Sequence, residues 1–197
     1  PPTSFFQKML DETDEDEDLR EDSESILDMA NISFMPIRQF RWHYRSRHDS
    51  LIQFSNQMMY QGGLTIFPSP HKPHEDLGVQ LVETRGTYTA GQNVTEAKTV
   101  VAATIKHMEE KPEFSLGICT MNAHQKMLIQ EEFELERDQN KKVQAYIAKW
   151  EHDNDALEEF FIKNLETIQG DERDFIFIST LYGPEKVGGK VMQRFGP

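Results

Sequence analysis

Apolar residues recur at helical spacing in four stretches of the chain, and a capping residue opens most of them. After Asn93, the residues Ala97, Val101 and Met108 fall on one helical face. Asn122 and Ser50, each followed three residues later by Gln, give two further capping signals. The predicted helices span 22–30, 49–60, about four turns after Asn93, and a long segment from Asn122 to about Trp150 that allows one break.

Shorter apolar runs rich in β-formers lie between these helices and predict strands. The predicted strands are 37–42, 79–84, 114–121, 160–165 and 175–180. A Pro-containing loop is expected at 64–75, a short helical piece at 153–160, and a mobile C-terminal segment at 183–197. Alternating strands and helices favour an α/β fold, with a mostly parallel sheet flanked by helices. In such sheets, ligands bind at the carboxyl ends of the strands, and we expect four polar stretches to lie there: 42–48, 122–125, 166–174 and the loop after Thr180.

Composition narrows the class of protein. The chain has 197 residues, 37% of them hydrophobic, which suits one folded domain over 1–197. One cysteine excludes a disulfide framework. No apolar stretch approaches the roughly 20 residues that span a bilayer, so we expect a cytoplasmic protein with no membrane partner. Because the chain starts with Pro1 and Pro2 and carries no Met there, we expect it to be a piece of a longer protein.

The charge is concentrated in one segment. Residues 11–24 hold ten acids and one Arg, a net charge of −9, which leaves −4 of the total −13 for the rest of the chain. So dense a run of like charge predicts a flexible surface loop. One alternative function follows from it: a non-catalytic interaction module that binds a basic partner through this acidic loop.

A basic and aromatic run stands in contrast. Residues 38–48 hold four Arg, two His and three aromatic residues, with no acid. Arg recognises phosphate through planar, paired hydrogen bonds, so this run predicts a phosphate-bearing ligand. Ser46 and Ser50, each close to a His, leave open a third hypothesis, a hydrolase, although neither lies in a Gly-x-Ser-x-Gly elbow.

Several segments resemble superfamily 1 helicases of the nonsense-decay and Okazaki-processing type, in their bacterial multidomain versions. Residues 42–56 with 67–70 resemble motif IV and its surroundings, and residues 161–179, which include Gln-Gly-Asp-Glu-Arg-Asp at 169–174, resemble motif V. Residues 93–97 and 117–125 match the helix and strand between these motifs, and residues 1–6 resemble the end of motif III. The resemblance covers nearly the whole chain in the family's order.

The resemblance implies a second RecA-like lobe of the P-loop NTPase type, acting on single-stranded DNA or RNA. It implies that Arg45 is the arginine finger at the γ-phosphate of ATP and that Glu172 approaches the ribose and phosphates of the nucleotide. Gln169 and Gly170 are implied to belong to the same nucleotide site and to join it to the nucleic-acid track. Asn122, Asn164 and Thr167 are the implied nucleic-acid contacts.

The sequence has no Gly-x-x-x-x-Gly-Lys-[Ser/Thr] phosphate loop and no convincing carboxylate pair for Mg²⁺. ATP and Mg²⁺ would therefore be held mostly by an upstream RecA-like lobe of the same polypeptide, and this segment alone is expected to be inactive. No metal site of its own is predicted, since the spacing of His71, His74, Glu75 and Asp76 matches no strong zinc pattern.

Overall fold

A computed structural model describes residues 25–70, 77–152 and 158–191. The chain divides into two compact units, Pro1–Leu81 and Val82–Pro197. The acidic segment 11–24 lies outside the described residues, as do 71–76, 153–157 and 192–197.

The first unit contains one small βαβ arrangement. Its elements are α1 (Ile26–Ser33), β1 (Trp42–His43), α2 (Ser50–Met58) and β2 (Thr65–Ile66). β1 and β2 pair in parallel, with Trp42 opposite Thr65 and His43 opposite Ile66. The Asn56 side chain closes the return from α2, because it both donates to the Leu64 carbonyl and accepts from the Leu64 N–H.

Several predictions for this part of the chain were wrong in detail. The strand predicted at 37–42 begins at Trp42, and the loop predicted at 64–75 contains β2. Ser50 is not the cap of α2: Asp49 holds that position without a side-chain cap bond. The Ser50 hydroxyl instead contacts His48 Nδ1 at 2.8 Å and accepts from the Val79 N–H.

No strand forms at 79–84, which corrects another prediction. The Val79 N–H is bound by a side chain rather than by a neighbouring strand. Val79, Leu81 and Val82 remain 61–87% exposed, so the apolar run has no layer to pack against.

The second unit is an α/β layer built on a parallel sheet. Its elements are α3 (Val94–Glu110), β3 (Leu116–Thr120), α4 (Ala123–Gln139), α5 (Lys141–His152), β4 (Phe161–Asn164), a 3-10 turn (Leu165–Thr167) and β5 (Phe175–Ser179). The strand order is β4–β3–β5, with both pairs parallel. This confirms the predicted α/β class with parallel strands flanked by helices, an architecture consistent with a RecA-like lobe.

One face of this sheet carries the core. Alternate residues of the central strand, Leu116 and Ile118, are fully buried and pack with residues of α3, α4 and α5. Ile162, Phe175 and Phe177 join them from the neighbouring strands. Side chains in register alternate between the faces of a sheet, which is why these residues share one face.

The opposite face is shaped around a glycine. Gly117 pairs with Phe161, whose ring fills the space where a β-carbon of residue 117 would lie. A larger residue at 117 would collide with this ring, so the glycine permits the close approach.

The helix signals of this unit were predicted well. Asn93 accepts from the Glu96 N–H and Asn122 from the Gln125 N–H, which confirms both caps. The long helix breaks at Asn140, whose side chain accepts from the Lys142 N–H at the start of α5. The helical piece predicted at 153–160 lies largely outside the described residues, and 158–160 are not helical.

Candidate functional site

Arg45 lies on a tight turn directly after β1. His43 Nε2 contacts the Ser46 hydroxyl at 2.7 Å and accepts from the Ser46 N–H at 3.2 Å, which closes the turn around Arg45. The Arg45 side chain is exposed. These contacts fix the turn directly after β1, so Arg45 is held at a defined backbone position.

A second His–Ser contact fixes the chain on the other side of Arg45. His48 is buried, and its Nδ1 accepts from the Ser50 N–H at 3.1 Å. Asp49 in turn accepts from the Ser69 N–H. Both serines of the hydrolase hypothesis therefore take part in short-range contacts that hold backbone turns, an arrangement that gives each of them a structural role.

In the second unit, residues 165–174 connect the carboxyl end of β4 to the amino end of β5. Lys163 Nζ lies 2.6 Å from Asp171 Oδ2 and 5.1 Å from the centre of the Phe161 ring. Arg173 donates from Nε to the Glu159 carbonyl at 2.9 Å, and its guanidinium lies 4.7 Å from the same ring. Lys163, just before the loop, and Arg173, near its end, thus both contact the Phe161 ring and hold the two ends of the loop.

The far end of the loop is clamped to the central strand. The Asp174 carboxylate accepts from both the N–H and the hydroxyl of Ser115 at 3.0 Å, and the Ser115 hydroxyl accepts from the Asp174 N–H. This clamp lies at the amino ends of β3 and β5. We expected the whole stretch 166–174 to lie at a carboxyl end, and that interpretation was wrong for its last residues, because the loop crosses from one edge of the sheet to the other.

Gln169, Gly170 and Glu172 lie in the middle of this loop, between Lys163 and Asp174. All three are exposed. Gly170 has φ = +89°, a conformation that side-chain-bearing residues rarely adopt, and open space surrounds the position of a β-carbon. The turn therefore needs glycine for its backbone conformation rather than for lack of room.

Asn164 and Thr167 lie side by side at the end of β4. The Thr167 hydroxyl contacts Asn164 Oδ1 at 2.6 Å, and Thr167 is exposed. Asn122 lies two residues after Thr120, the last residue of β3, and Thr120 pairs with Asn164. The structure thus brings these three predicted nucleic-acid contacts to the same edge of the sheet.

Asn122 is engaged on both sides of its amide. Its Oδ1 accepts from the Gln125 N–H at 2.7 Å, and its Nδ2 donates to the Gly91 carbonyl at 2.9 Å. Its predicted contact with nucleic acid stays a prediction.

A buried polar network behind this edge was not predicted. Glu96 Oε1 accepts from the Ser179 hydroxyl and from the Leu181 N–H, both at 2.8 Å. Gln125 bridges Asn93 and Ser179. The network joins residues up to 88 positions apart, which is why local spacing gave no sign of it.

Burial shifts the pKa values of three side chains in the core, His107, Tyr146 and Cys119. Burial lowers the pKa of His107 below its usual range, although a hydrogen bond to the Phe114 carbonyl opposes this shift. Burial raises the pKa of the Tyr146 hydroxyl, which donates to the same carbonyl at 2.8 Å. Burial also raises the pKa of the Cys119 thiol, which weakens it as a nucleophile.

Two other classes of site are absent from the described part of the chain. Among the described residues, no group of three or more His, Cys, Asp or Glu side chains is arranged to hold a metal ion. None of the helices in that part of the chain is both long and apolar enough to cross a membrane. The histidines at 71 and 74 lie outside the described residues.

The predicted nucleotide contacts fall into both units. Arg45 belongs to the first unit, and Gln169, Gly170 and Glu172 belong to the second. Each group is presented on an exposed turn whose flanks are fixed by side-chain bonds.

Comparison with known proteins gives two relatives. The chain is 30% identical to the Uncharacterized ATP-dependent helicase MG140 of Mycoplasma genitalium and 29% identical to the Uncharacterized ATP-dependent helicase MG140 homolog of Mycoplasma pneumoniae. Each similarity covers 96% of this chain and 18% of the relative, so the chain spans about a fifth of the length of these proteins. No family model matches the chain, and no solved structure matches it.

Proposed function

We propose that this chain forms the second RecA-like motor lobe of an ATP-dependent superfamily 1 helicase or translocase that acts on single-stranded nucleic acid. The observation that carries the proposal is the similarity, over 96% of the chain, to two proteins named as ATP-dependent helicases. The parallel α/β architecture and the exposed, anchored turns at the motif-like segments support it.

Arg45 would act as the arginine finger. Its turn is closed by the His43–Ser46 contact, so the guanidinium can be held toward a γ-phosphate supplied from outside this lobe. Charge that develops on the transferred phosphoryl group is stabilised by such a cation, an effect worth about 10³–10⁵ in rate in other nucleotide hydrolases. The ATP and its Mg²⁺ would be bound mostly by an upstream RecA-like lobe.

The loop between β4 and β5 would complete the lobe's side of the nucleotide cleft. The exposed Glu172 carboxylate can accept from ribose hydroxyls, and Gln169 can hydrogen-bond a water or a phosphate oxygen. The Lys163–Asp171 bridge and the Arg173 bond to Glu159 hold these residues in place. Ordering before the ligand arrives reduces the entropy that binding must offset.

Movement would follow from contacts that differ between two states. When ATP is bound, Arg45 and the β4–β5 loop gain interactions that favour a closed cleft, and these are lost after hydrolysis and release. Alternation between the closed and open states would move the lobe along a strand held across both lobes.

The test uses the complete reading frame. ATP hydrolysis is measured with and without single-stranded DNA or RNA, for the wild type, Arg45→Ala and the control Arg137→Ala. We expect strand-stimulated turnover that falls by about 10³ or more in Arg45→Ala. The control removes a partly exposed arginine that contacts Asp138 on a helix surface, and it should leave turnover within about twofold of the wild type.

The outcomes separate the parts of the proposal. Stimulated turnover that survives in Arg45→Ala would contradict the role of Arg45 and leave the motor intact. A wild-type protein without stimulated turnover would contradict the motor, and the interaction-module alternative would then be examined by titration of basic proteins against segment 11–24.

A further inference from the structure

Three segments at the carboxyl edge of the second unit, 85–93, 121–126 and 179–184, contain no Asp or Glu, although the chain as a whole has 34 acids and a charge of −13. Glu83 and Glu185 border them in sequence, and the buried Glu96 carboxylate bonds Ser179 and Leu181. The same segments carry Arg85, His124 and Lys126. We call the exposed face of these segments the carboxyl-edge surface.

Polar bonds join the three segments into one surface. Asn122 Nδ2 donates to the Gly91 carbonyl, and Gln92 Nε2 donates to the His124 carbonyl at 3.2 Å. The Tyr88 N–H donates to the Pro184 carbonyl at 3.1 Å. The segments are therefore held relative to one another by contacts that do not depend on a ligand.

Two tyrosines form the aromatic part of this surface. The rings of Tyr88 and Tyr182 lie 5.9 Å apart between their centres and are tilted by 36°, and both residues are half-buried. Exposed Thr89 and Thr180 flank them in sequence. An aromatic face beside hydroxyl groups, in segments that contain no Asp or Glu, suits a planar ligand on an anionic backbone.

The rigidity of the pair has a structural source. Leu181, beside Tyr182, has φ = +55°, a strained conformation for a non-glycine residue, and its N–H is bound by the buried Glu96 carboxylate. Gly183, which follows Tyr182, packs closely against Gly86, because a β-carbon on Gly183 would lie 2.8 Å from the Gly86 carbonyl oxygen. The ring of Tyr182 is thus carried by a backbone that the network fixes.

We propose that Tyr88 and Tyr182 form a stacking platform for the bases of a single-stranded nucleic acid that crosses the carboxyl-edge surface. The inference rests on the proposed function and adds to it the residues that hold the strand. Stacking on tyrosine tolerates any base because every base has a π-face, so the platform would bind strands with little sequence preference.

The test uses the complete protein and a fluorescein-labelled 12-nucleotide strand, as DNA and as RNA, with binding followed by anisotropy. The variants are Tyr88→Ala, Tyr182→Ala and the corresponding Phe substitutions. Each Ala variant should bind about tenfold or more weakly, given about 1–3 kcal/mol per stacked base. The Phe variants keep the ring and should bind within about twofold of the wild type. Leu135→Ala, which removes an exposed apolar side chain near the far end of α4, should bind like the wild type.

Binding of an abasic nucleic-acid strand distinguishes a loss of base stacking from a change in the structure of the protein. An abasic strand of the same length keeps the phosphates but offers no base, so the Ala substitutions should change its affinity little. The salt dependence of binding should stay the same in every variant, since no charge is removed. Equal losses on the normal and abasic strands would overturn the platform.

The remaining outcomes also decide the proposal. Ala variants with wild-type affinity would overturn the platform and leave the motor function standing. A wild type that binds neither strand would overturn the platform, and the ATP hydrolysis measurement would show separately whether the motor function fails with it.

Discussion

The two units of this chain differ in the interactions that stabilise each of them internally. In the second unit, apolar residues of β3 and three helices are fully buried in one cluster. In the described part of the first unit, His48 is the one buried residue, and aromatic side chains such as Phe40 and Tyr44 are about 90% exposed. The first unit is shaped instead by side chains that bond nearby backbone, as Asn56 does at Leu64.

Apolar burial and side-chain hydrogen bonds stabilise regions of different size. Burial of apolar area contributes roughly 25 cal/mol per Å² and stabilises a whole layer at once. A side-chain bond to the backbone contributes about 1 kcal/mol and fixes one turn. We therefore expect the second unit to unfold cooperatively, and the turns of the first unit to open locally at lower cost.

The largest effect is expected at Glu96. The Glu96→Ala substitution leaves the Ser179 hydroxyl and the Leu181 N–H without their buried acceptor. The free energy of unfolding of the second unit should fall by about 3 kcal/mol, measured by urea denaturation.

A matched control lies on the same helix. Glu110 is 59% exposed and 3.9 Å from Lys106, so Glu110→Ala should change the free energy of unfolding by less than about 0.5 kcal/mol. Equal losses in the two variants would show that the network does not stabilise the unit beyond an ordinary surface contact.

Burial of His107 makes the free energy of unfolding depend on pH. Burial lowers the pKa of His107 in the folded state, so the unfolded chain binds this proton more readily. Its contribution to stability is therefore fully present above the unfolded pKa of 6.5 and is lost as the pH falls through the lower folded pKa.

His107→Phe tests this slope directly. The wild-type free energy of unfolding should decrease between pH 7.5 and 5.5 more steeply than that of His107→Phe. The Phe114 carbonyl keeps the Tyr146 hydroxyl as a donor in the variant, so no buried acceptor is left without a partner. His124→Phe, at an exposed position, should retain the wild-type slope. Parallel slopes in wild type and His107→Phe would contradict the assignment.

The same contrast explains which parts of the fold could be predicted from sequence. Helical spacing and caps gave α3, α4 and α5, because there an apolar face and a capping side chain agree. The wrong predictions concern segments in which a polar side chain forms a hydrogen bond that the spacing of residues in the sequence does not indicate. Ser50 bonds His48 and Val79 rather than capping α2, and Val79 is thereby removed from the strand predicted at 79–84.

The candidate site follows a similar rule. The connections that contain Arg45 and Gly170 could be predicted, because Arg45 falls between the predicted strand 37–42 and helix 49–60, and Gly170 falls between the predicted strands 160–165 and 175–180. The contacts that hold those turns could not, because Lys163–Asp171 and Arg173–Glu159 depend on how the β4–β5 loop crosses the sheet. Tyr88 and Tyr182 are 94 positions apart in sequence (182 − 88), so no local pattern indicates that their rings lie close together.

The smallest effect is expected in the first unit, at Asn56. Asn56→Ala removes both bonds to Leu64, so the return from α2 to β2 should open more often. Hydrogen exchange of the Leu64 amide should accelerate about tenfold, the equivalent of roughly 1.4 kcal/mol, while amides of β3 keep wild-type protection. Gln57→Ala, at the neighbouring exposed position, should leave both rates unchanged. Faster exchange throughout β3 in Asn56→Ala would show that the two units unfold together, and the contrast between a cooperative layer and locally held turns would then be wrong.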